Sequence, residues 1–193
     1  MIIGLTGGIA SGKNESSKHF RSLGFFIIDA DIISSTFITK NKLIFNKVLK
    51  ICGEDILYLD GSLNKKKIAN IIFLDDYKKR KIEKILHPLI ISYIKKIIMV
   101  KKRRKILINA PLLFESGLNK ICDKVVFIWV PNDIQISRSM LRDGKNIDEI
   151  QNIIRSQMPT WKKIDLSDFV INNTGSKTEL KNIIDNLCKL LTC

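Results

Sequence analysis

Lys13 ends a run of small residues suited to holding an anion, within GLTGGIASGKNESS at residues 4–17. Gly7, Gly8 and Gly12 let the backbone turn tightly and aim its N–H groups inward. A helix opening after them would add the positive end of its dipole. The spacing is nearly that of the phosphate-binding loop G-x-x-x-x-G-K-[ST], whose lysine meets the β- and γ-phosphates of a nucleotide. The last position departs, because Asn14 stands where a hydroxyl normally meets magnesium. An amide oxygen can ligate a hard cation, but it is differently directed. Magnesium keeps several waters, so one can replace a lost protein ligand at reduced affinity. Glu15 adds a carboxylate that could approach the same ion. The loop is expected to bind Mg·ATP more weakly than a serine version would.

Asp29-Ala30-Asp31 follows the apolar run Phe25–Ile28. Ligands of open α/β sheets sit beyond the carboxyl ends of strands, where these carboxylates fall. One of them could orient an acceptor hydroxyl, take its proton or reach magnesium through water; the other could cap the next helix. The expectation gives the chemical role to Asp31 and the structural one to Asp29. Arg138 and Arg142 lie four apart, on one helix face, and the chain has only seven arginines. Either they neutralise a transferring phosphoryl group, or they are surface residues beside Asp143. His87 is read as a capping or packing residue or as a substrate contact, and His19 as a surface residue.

The elements that must carry these groups alternate. Residues 2–5 and 25–29 read as buried strands with a helix from Lys13 to about Ser22 between them. Strands at 105–109, 124–130 and 167–175 follow, with helices at 133–142, 147–157 and 177–191. Continuous apolar strands alternating with helices indicate a parallel α/β sheet covered on both faces. Residues 32–104 are instead mostly helical in period and lysine-rich, as an insert between two strands. Asp60-Gly61 marks a turn inside the insert, and His87-Pro88 is expected to open its last helix.

Composition limits the classes. With 193 residues and 45% hydrophobic content, the chain can bury one substantial core. No apolar run reaches membrane-spanning length and no secretory leader is visible, so a cytoplasmic protein is expected. Cys52, Cys122, Cys188 and Cys193 are scattered, which argues against a zinc site or a disulfide framework. The formal charge of +14 comes mostly from lysines spread along the chain. The densest run, Lys101–Lys105, reads as a solvated loop or a polyanion contact. No aromatic-rich strand or recognition motif accompanies the charge, so a nucleic-acid partner is not expected.

The segments IGLTGGIASGK, IIDAD, DGSLNKKKIANIIF, HPLI, PLLFE, RDG and DFVINNTG stand in the order and spacing of bacterial dephospho-CoA kinase, and the chain resembles that family over nearly its whole length. The resemblance implies a P-loop NTPase core with a five-stranded parallel sheet flanked by helices. The core would take about 1–31, 105–135 and 155–193, a helical CoA-binding insert about 32–104, and a small lid about 136–154. It implies phosphorylation of the ribose 3′-hydroxyl of dephospho-CoA by ATP with Mg²⁺, the last step of coenzyme A synthesis, in a monomer or weak homo-oligomer. Carried over by position, Asp31 is the general base, and Gly8 and Ala10, Ser11, Gly12, Lys13, Asn14 and Glu15 wrap the ATP phosphates. Arg142 approaches the phosphates from the lid. Asn173 and Gly175 belong to the adenine turn, and Asp31, His87, Pro111 and Leu112 to the acceptor side. Three departures stand out: Asn14-Glu15 for a Ser-Thr pair, Ser35 for an arginine, and Asn109 for an aspartate. The alternatives are a nucleoside monophosphate kinase and an inactive nucleotide-binding protein of the same fold.

Overall fold

The computed structural model describes residues 1–101 and 104–191. Lys102, Arg103 and Cys193 lie outside the described residues. The chain divides into two compact units, Met1–Asp29 with Ile98–Cys193, and Ala30–Ile97.

The first unit is built on five parallel strands: β1 (Ile2–Gly7), β2 (Phe26–Asp29), β3 (Ile106–Asn109), β4 (Lys124–Trp129) and β5 (Phe169–Asn172). Their spatial order is β2-β3-β1-β4-β5. β1 and β3 are apolar up to Thr6 and Asn109 because both faces are covered, and Ile3, Leu5, Ile106, Leu107 and Ile108 are buried. Pairing of Leu5 with Asn109 and of Asp29 with Asn109 brings the ends of β1, β2 and β3 to one edge. Gly7 pairs with Ile128, and Trp129 with Asn172, so the ends of β4 and β5 join them. A sheet with its central strand crossed from both sides binds ligands at that carboxyl edge.

Helices cover both faces. α1 (Lys13–Ser22) and α9 (Lys177–Leu190) flank a core of Leu5, Phe20, Leu107, Val126, Ile128 and Ile184. Phe20 meets Phe25 edge-on at 5.2 Å between ring centroids. α9 starts in a capping box, with Ser176 Oγ accepting from the Glu179 N–H and Glu179 accepting from the Ser176 N–H. The same device, Asn146 with Glu149, opens α7 (Ile147–Arg155). α6 (Asn132–Asp143) precedes it and ends at Gly144, whose φ of 62° is the left-handed stop of a helix.

The second unit is helical. Its elements are α2 (Ala30–Lys40), α3 (Lys42–Cys52), α4 (Lys65–Leu74) and α5 (Asp76–Val100), with a 3₁₀ turn at Glu54–Ile56. At Asp60-Gly61 the chain turns as expected: the Ser62 N–H and hydroxyl both donate to Asp60 Oδ1, at 2.9 and 2.6 Å. His87-Pro88 does not open a helix; α5 runs through it with Pro88 inside. An interior proline removes a hydrogen bond and costs about 3 kcal/mol. Ile82, Leu86, Ile90 and Ile94 recur every fourth residue and are all buried. Burying four such side chains returns roughly 1.5–3 kcal/mol each, which outweighs the proline. Phe37 and Tyr93 add an edge-on ring contact at 5.5 Å in the same unit.

Candidate active site

The loop from β1 to α1 turns on two left-handed residues, Ala10 at φ 53° and Gly12 at φ 93°. Gly12 caps α1 without a side-chain hydrogen bond. The first amides of the helix therefore point into the loop, the arrangement that receives an anion. The loop is packed tightly from outside. A Cβ on Gly8 would lie 2.5 Å from Gln135 Oε1, and a Cβ on Gly12 would overlap the Asn173 amide. Ser11 is buried, and its hydroxyl has no hydrogen-bond partner among the described residues.

Lys13 is 9% exposed. Its ammonium donates to Asn109 Oδ1 at 3.0 Å, and Asn109 Nδ2 donates to Asp29 Oδ2 at 2.8 Å. One amide thus spans a cation and an anion, and its orientation is set because each end has a partner of the right kind. By its resemblance, Asn109 stands where the family has an aspartate that could orient a metal. In the fold it is a neutral bridge that keeps Lys13 and Asp29 in one hydrogen-bonded chain. Asp29, expected to be structural, belongs to this cluster.

Asn173 ties the end of β5 to the loop. Its Nδ2 donates to the Ser11 carbonyl at 2.7 Å and its N–H to the Trp129 carbonyl at 2.9 Å. Its own carbonyl accepts from Arg138 Nη1 at 3.0 Å. Gly175 sits against the Glu179 carboxylate, where a Cβ would collide. Gly12→Ala is expected to cost about 3 kcal/mol in urea unfolding. The left-handed φ accounts for about 1–2 kcal/mol and displacement of the buried Asn173 amide for about as much.

The two arginines have different partners. Arg138 serves the Asn173 carbonyl, while Arg142 Nε and Nη2 grip the Asp143 carboxylate at 2.8 Å each. The guanidinium holds the Asp143 carboxyl below its ordinary value, and Asp143 raises Arg142 in return. Because the Asp143 pKa is depressed on folding, this fork supports α6 at neutral pH and is lost only as pH falls below the ordinary aspartate range. Asn14 is exposed in the first turn of α1. Glu15 is paired with Lys18 at 2.7 Å, and that hydrogen bond lowers its pKa. Among the described residues no three acidic, histidine or cysteine side chains gather as a metal site.

Pro111 and Leu112 are half-buried in the turn after β3. In the second unit, Asp31 is exposed in the first turn of α2, and His87 is half-buried within α5. His19 is not a surface residue: its Nε2 lies 2.7 Å from Asp185 Oδ1 and its side chain is 15% exposed, because α1 packs on α9. Sequence reading also passed over Gln135 and Lys163. Lys163 is 2% exposed, in α8 (Thr160–Asp165), with its ammonium 3.2 Å from Glu115 Oε1. One lysine among many carries no mark of burial in the sequence, and its apolar neighbours Ile164 and Leu166 are themselves exposed, 38% and 48%.

A family model described as dephospho-CoA kinase matches residues 1–179. A dephospho-CoA kinase of Dichelobacter nodosus is 39% identical over 176 residues, 91% of this chain and 89% of that protein. One of Fusobacterium nucleatum subsp. nucleatum is 35% identical over 191 residues, 99% of this chain and 98% of that protein. The solved dephospho-CoA kinase from Campylobacter jejuni superposes with a TM-score of 0.69 at 26% identity, covering 98% of this chain and 96% of that one. A five-stranded parallel sheet, a glycine-turned phosphate loop and a match along nearly all of its length agree: the chain belongs to the dephospho-CoA kinase family.

Proposed function

We propose that this chain transfers the γ-phosphoryl group of ATP to the ribose 3′-hydroxyl of dephospho-CoA, giving coenzyme A. Family membership makes it a kinase. The observation that carries the chemistry is the buried Lys13 ammonium at the carboxyl edge of the sheet, held by Asn109 beside Asp29. Phosphoryl transfer asks little covalent chemistry of the protein and much positioning and charge neutralisation. Residues 10–15 wrap the phosphates, and Lys13 moves its charge from the Asn109 amide to the β- and γ-oxygens. Arg142 leaves Asp143 to meet the same phosphates. Asp31 takes the proton of the attacking hydroxyl, with His87, Pro111 and Leu112 on the acceptor side. The turn Asn173–Gly175 receives adenine, a reading supported by its direct bond to the loop at Ser11. The helical unit 30–97 receives the acceptor, and α6 and α7 form the lid.

The donor set suits a metal that arrives with the nucleotide rather than a resident one. Asn14 is a neutral oxygen donor exposed in the first turn of α1, and among the described residues no three His, Cys, Asp or Glu side chains gather as a metal site. Asn14 would hold an Mg²⁺ that arrives with ATP, and the ion would supply charge neutralisation on the phosphates. Asn14→Ser is expected to lower the half-saturating Mg²⁺ concentration roughly three- to tenfold with kcat nearly unchanged, since a hydroxyl suits magnesium's octahedral geometry better than an amide. An unaltered magnesium titration would show that Asn14 stays out of the metal's shell.

The deciding experiment is a coupled ADP-release assay with dephospho-CoA beside a panel of nucleoside 5′-monophosphates. Turnover with dephospho-CoA alone supports the proposal. Turnover with a monophosphate alone, or ATP binding without turnover at any Mg²⁺ concentration, overturns it. Among the described residues no helix is long and apolar enough to cross a membrane.

A further inference from the structure

We propose that Lys163 is a positioning residue of the transfer reaction, its buried ammonium clamping residues 110–117 into the shape that presents Pro111 and Leu112 to the acceptor. The proposal rests on the function proposed above.

Segment 110–117 is neither helix nor strand; it turns repeatedly between β3 and a 3₁₀ turn at Leu118–Ile121. A segment without a hydrogen-bond ladder takes its shape from side chains and isolated bonds. Two of its points are held by one ammonium. Lys163 Nζ lies 3.2 Å from Glu115 Oε1 and 3.5 Å from the Pro111 carbonyl. Each of those acceptors has a second donor: the Met158 N–H reaches Glu115 Oε1 at 2.9 Å, and Thr6 Oγ1 reaches the Pro111 carbonyl at 3.1 Å. Thr6 belongs to β1, the strand that feeds the phosphate loop. Pro111 is thereby registered against that strand, two residues after the Asn109 that holds Lys13.

Carbonyl and carboxylate are both acceptors, so whatever joins them must donate in two directions. An ammonium does so as a compact charge with three donors. Lysine is almost never fully buried unless paired, and this one is 2% exposed. The second Glu115 oxygen is buried without a hydrogen-bond partner among the described residues, which concentrates the carboxylate's compensation on Oε1 and Lys163. Stability alone is a poor reason for such a pair, since apolar replacement of buried ion pairs is often neutral or stabilising. Holding an irregular segment in one conformation is what an apolar pair could not do.

The test uses Lys163→Met, which keeps the stem and removes the charge, and the double variant Lys163→Met with Glu115→Gln, which removes both charges. Lys163→Met is expected to melt at lower temperature and to raise KM for dephospho-CoA at least tenfold while KM for ATP changes less than twofold. The double variant should recover most of the melting temperature but not the KM. In the substrate-free proteins, amide exchange across 110–117 should quicken at least tenfold in both variants, with β1 and β3 unchanged. If Lys163→Met does not fold, the double variant alone decides, by the same KM and exchange readouts. Wild-type exchange rates in 110–117, unchanged KM values, or recovery of KM together with melting temperature would each overturn the clamp. Should wild-type protein fail to phosphorylate dephospho-CoA, the function falls, while the exchange result still judges the clamp.

Discussion

Lys13→Ala is expected to lower kcat/KM for ATP about 10²–10³-fold. Removing one preorganised charge donor from a water-excluded site typically costs about 3–4 kcal/mol of transition-state stabilisation. Lys13 sits in such a place, 9% exposed and at the carboxyl edge of the five-stranded sheet. Its charge is proposed to count most as negative charge gathers on the leaving β–γ bridge. The loss should therefore fall more on kcat than on KM. Lys13→Arg is not expected to rescue. Arginine's planar fork is wider than an ammonium and cannot share the Asn109 amide in the same geometry. Steady-state rates in the coupled assay, with a thermal melt of each variant, measure both effects. A folded Lys13→Ala protein within tenfold of wild type would remove the phosphate role from this residue.

Asp31→Asn is expected to reduce kcat by about 10²–10⁴-fold with both KM values within a few-fold of wild type, the signature of a lost general base. The amide keeps the shape and hydrogen-bonding reach of the side chain but cannot take a proton. Asp31 is exposed in the first turn of α2, so the substitution should leave the melting temperature within a degree or two. A large fall in melting temperature would mark Asp31 as a structural cap instead. A kcat near wild type in a folded protein would move the base to another carboxylate, and Asp29, hydrogen-bonded to Asn109, is next in line.

Much of the framework was legible because it rests on local patterns. The apolar runs at residues 2–5, 25–29, 105–109 and 124–130 appear as strands, and α1, α6, α7 and α9 fall within a residue or two of the expected spans. Strand and helix periodicity are properties of short windows, and so are glycine turns and caps. The helix through Pro88 was not legible for the converse reason. A proline's local cost is visible in the sequence, whereas the buried ridge of Ile82, Leu86, Ile90 and Ile94 that outweighs it exists only after packing.

The site divides the same way. The phosphate loop could be read from spacing, since its function depends on consecutive residues turning one backbone segment. The partners of that loop could not. Asn109 lies 96 residues from the lysine it holds, Asn173 lies 162 from the serine carbonyl it binds, and Lys163 lies 48 from its glutamate. No periodicity links such positions, and an asparagine or a lysine carries no label for its eventual environment. By itself the chain's order of residues determined the α/β class, the anion-binding loop and the kinase family it resembles. Tertiary structure alone decided which amide spans Lys13 and Asp29, which arginine is committed to Asn173, and which of many lysines is buried. Those choices follow from strand register and helix packing, which bring distant residues within hydrogen-bond reach and then exclude the water that would otherwise serve them.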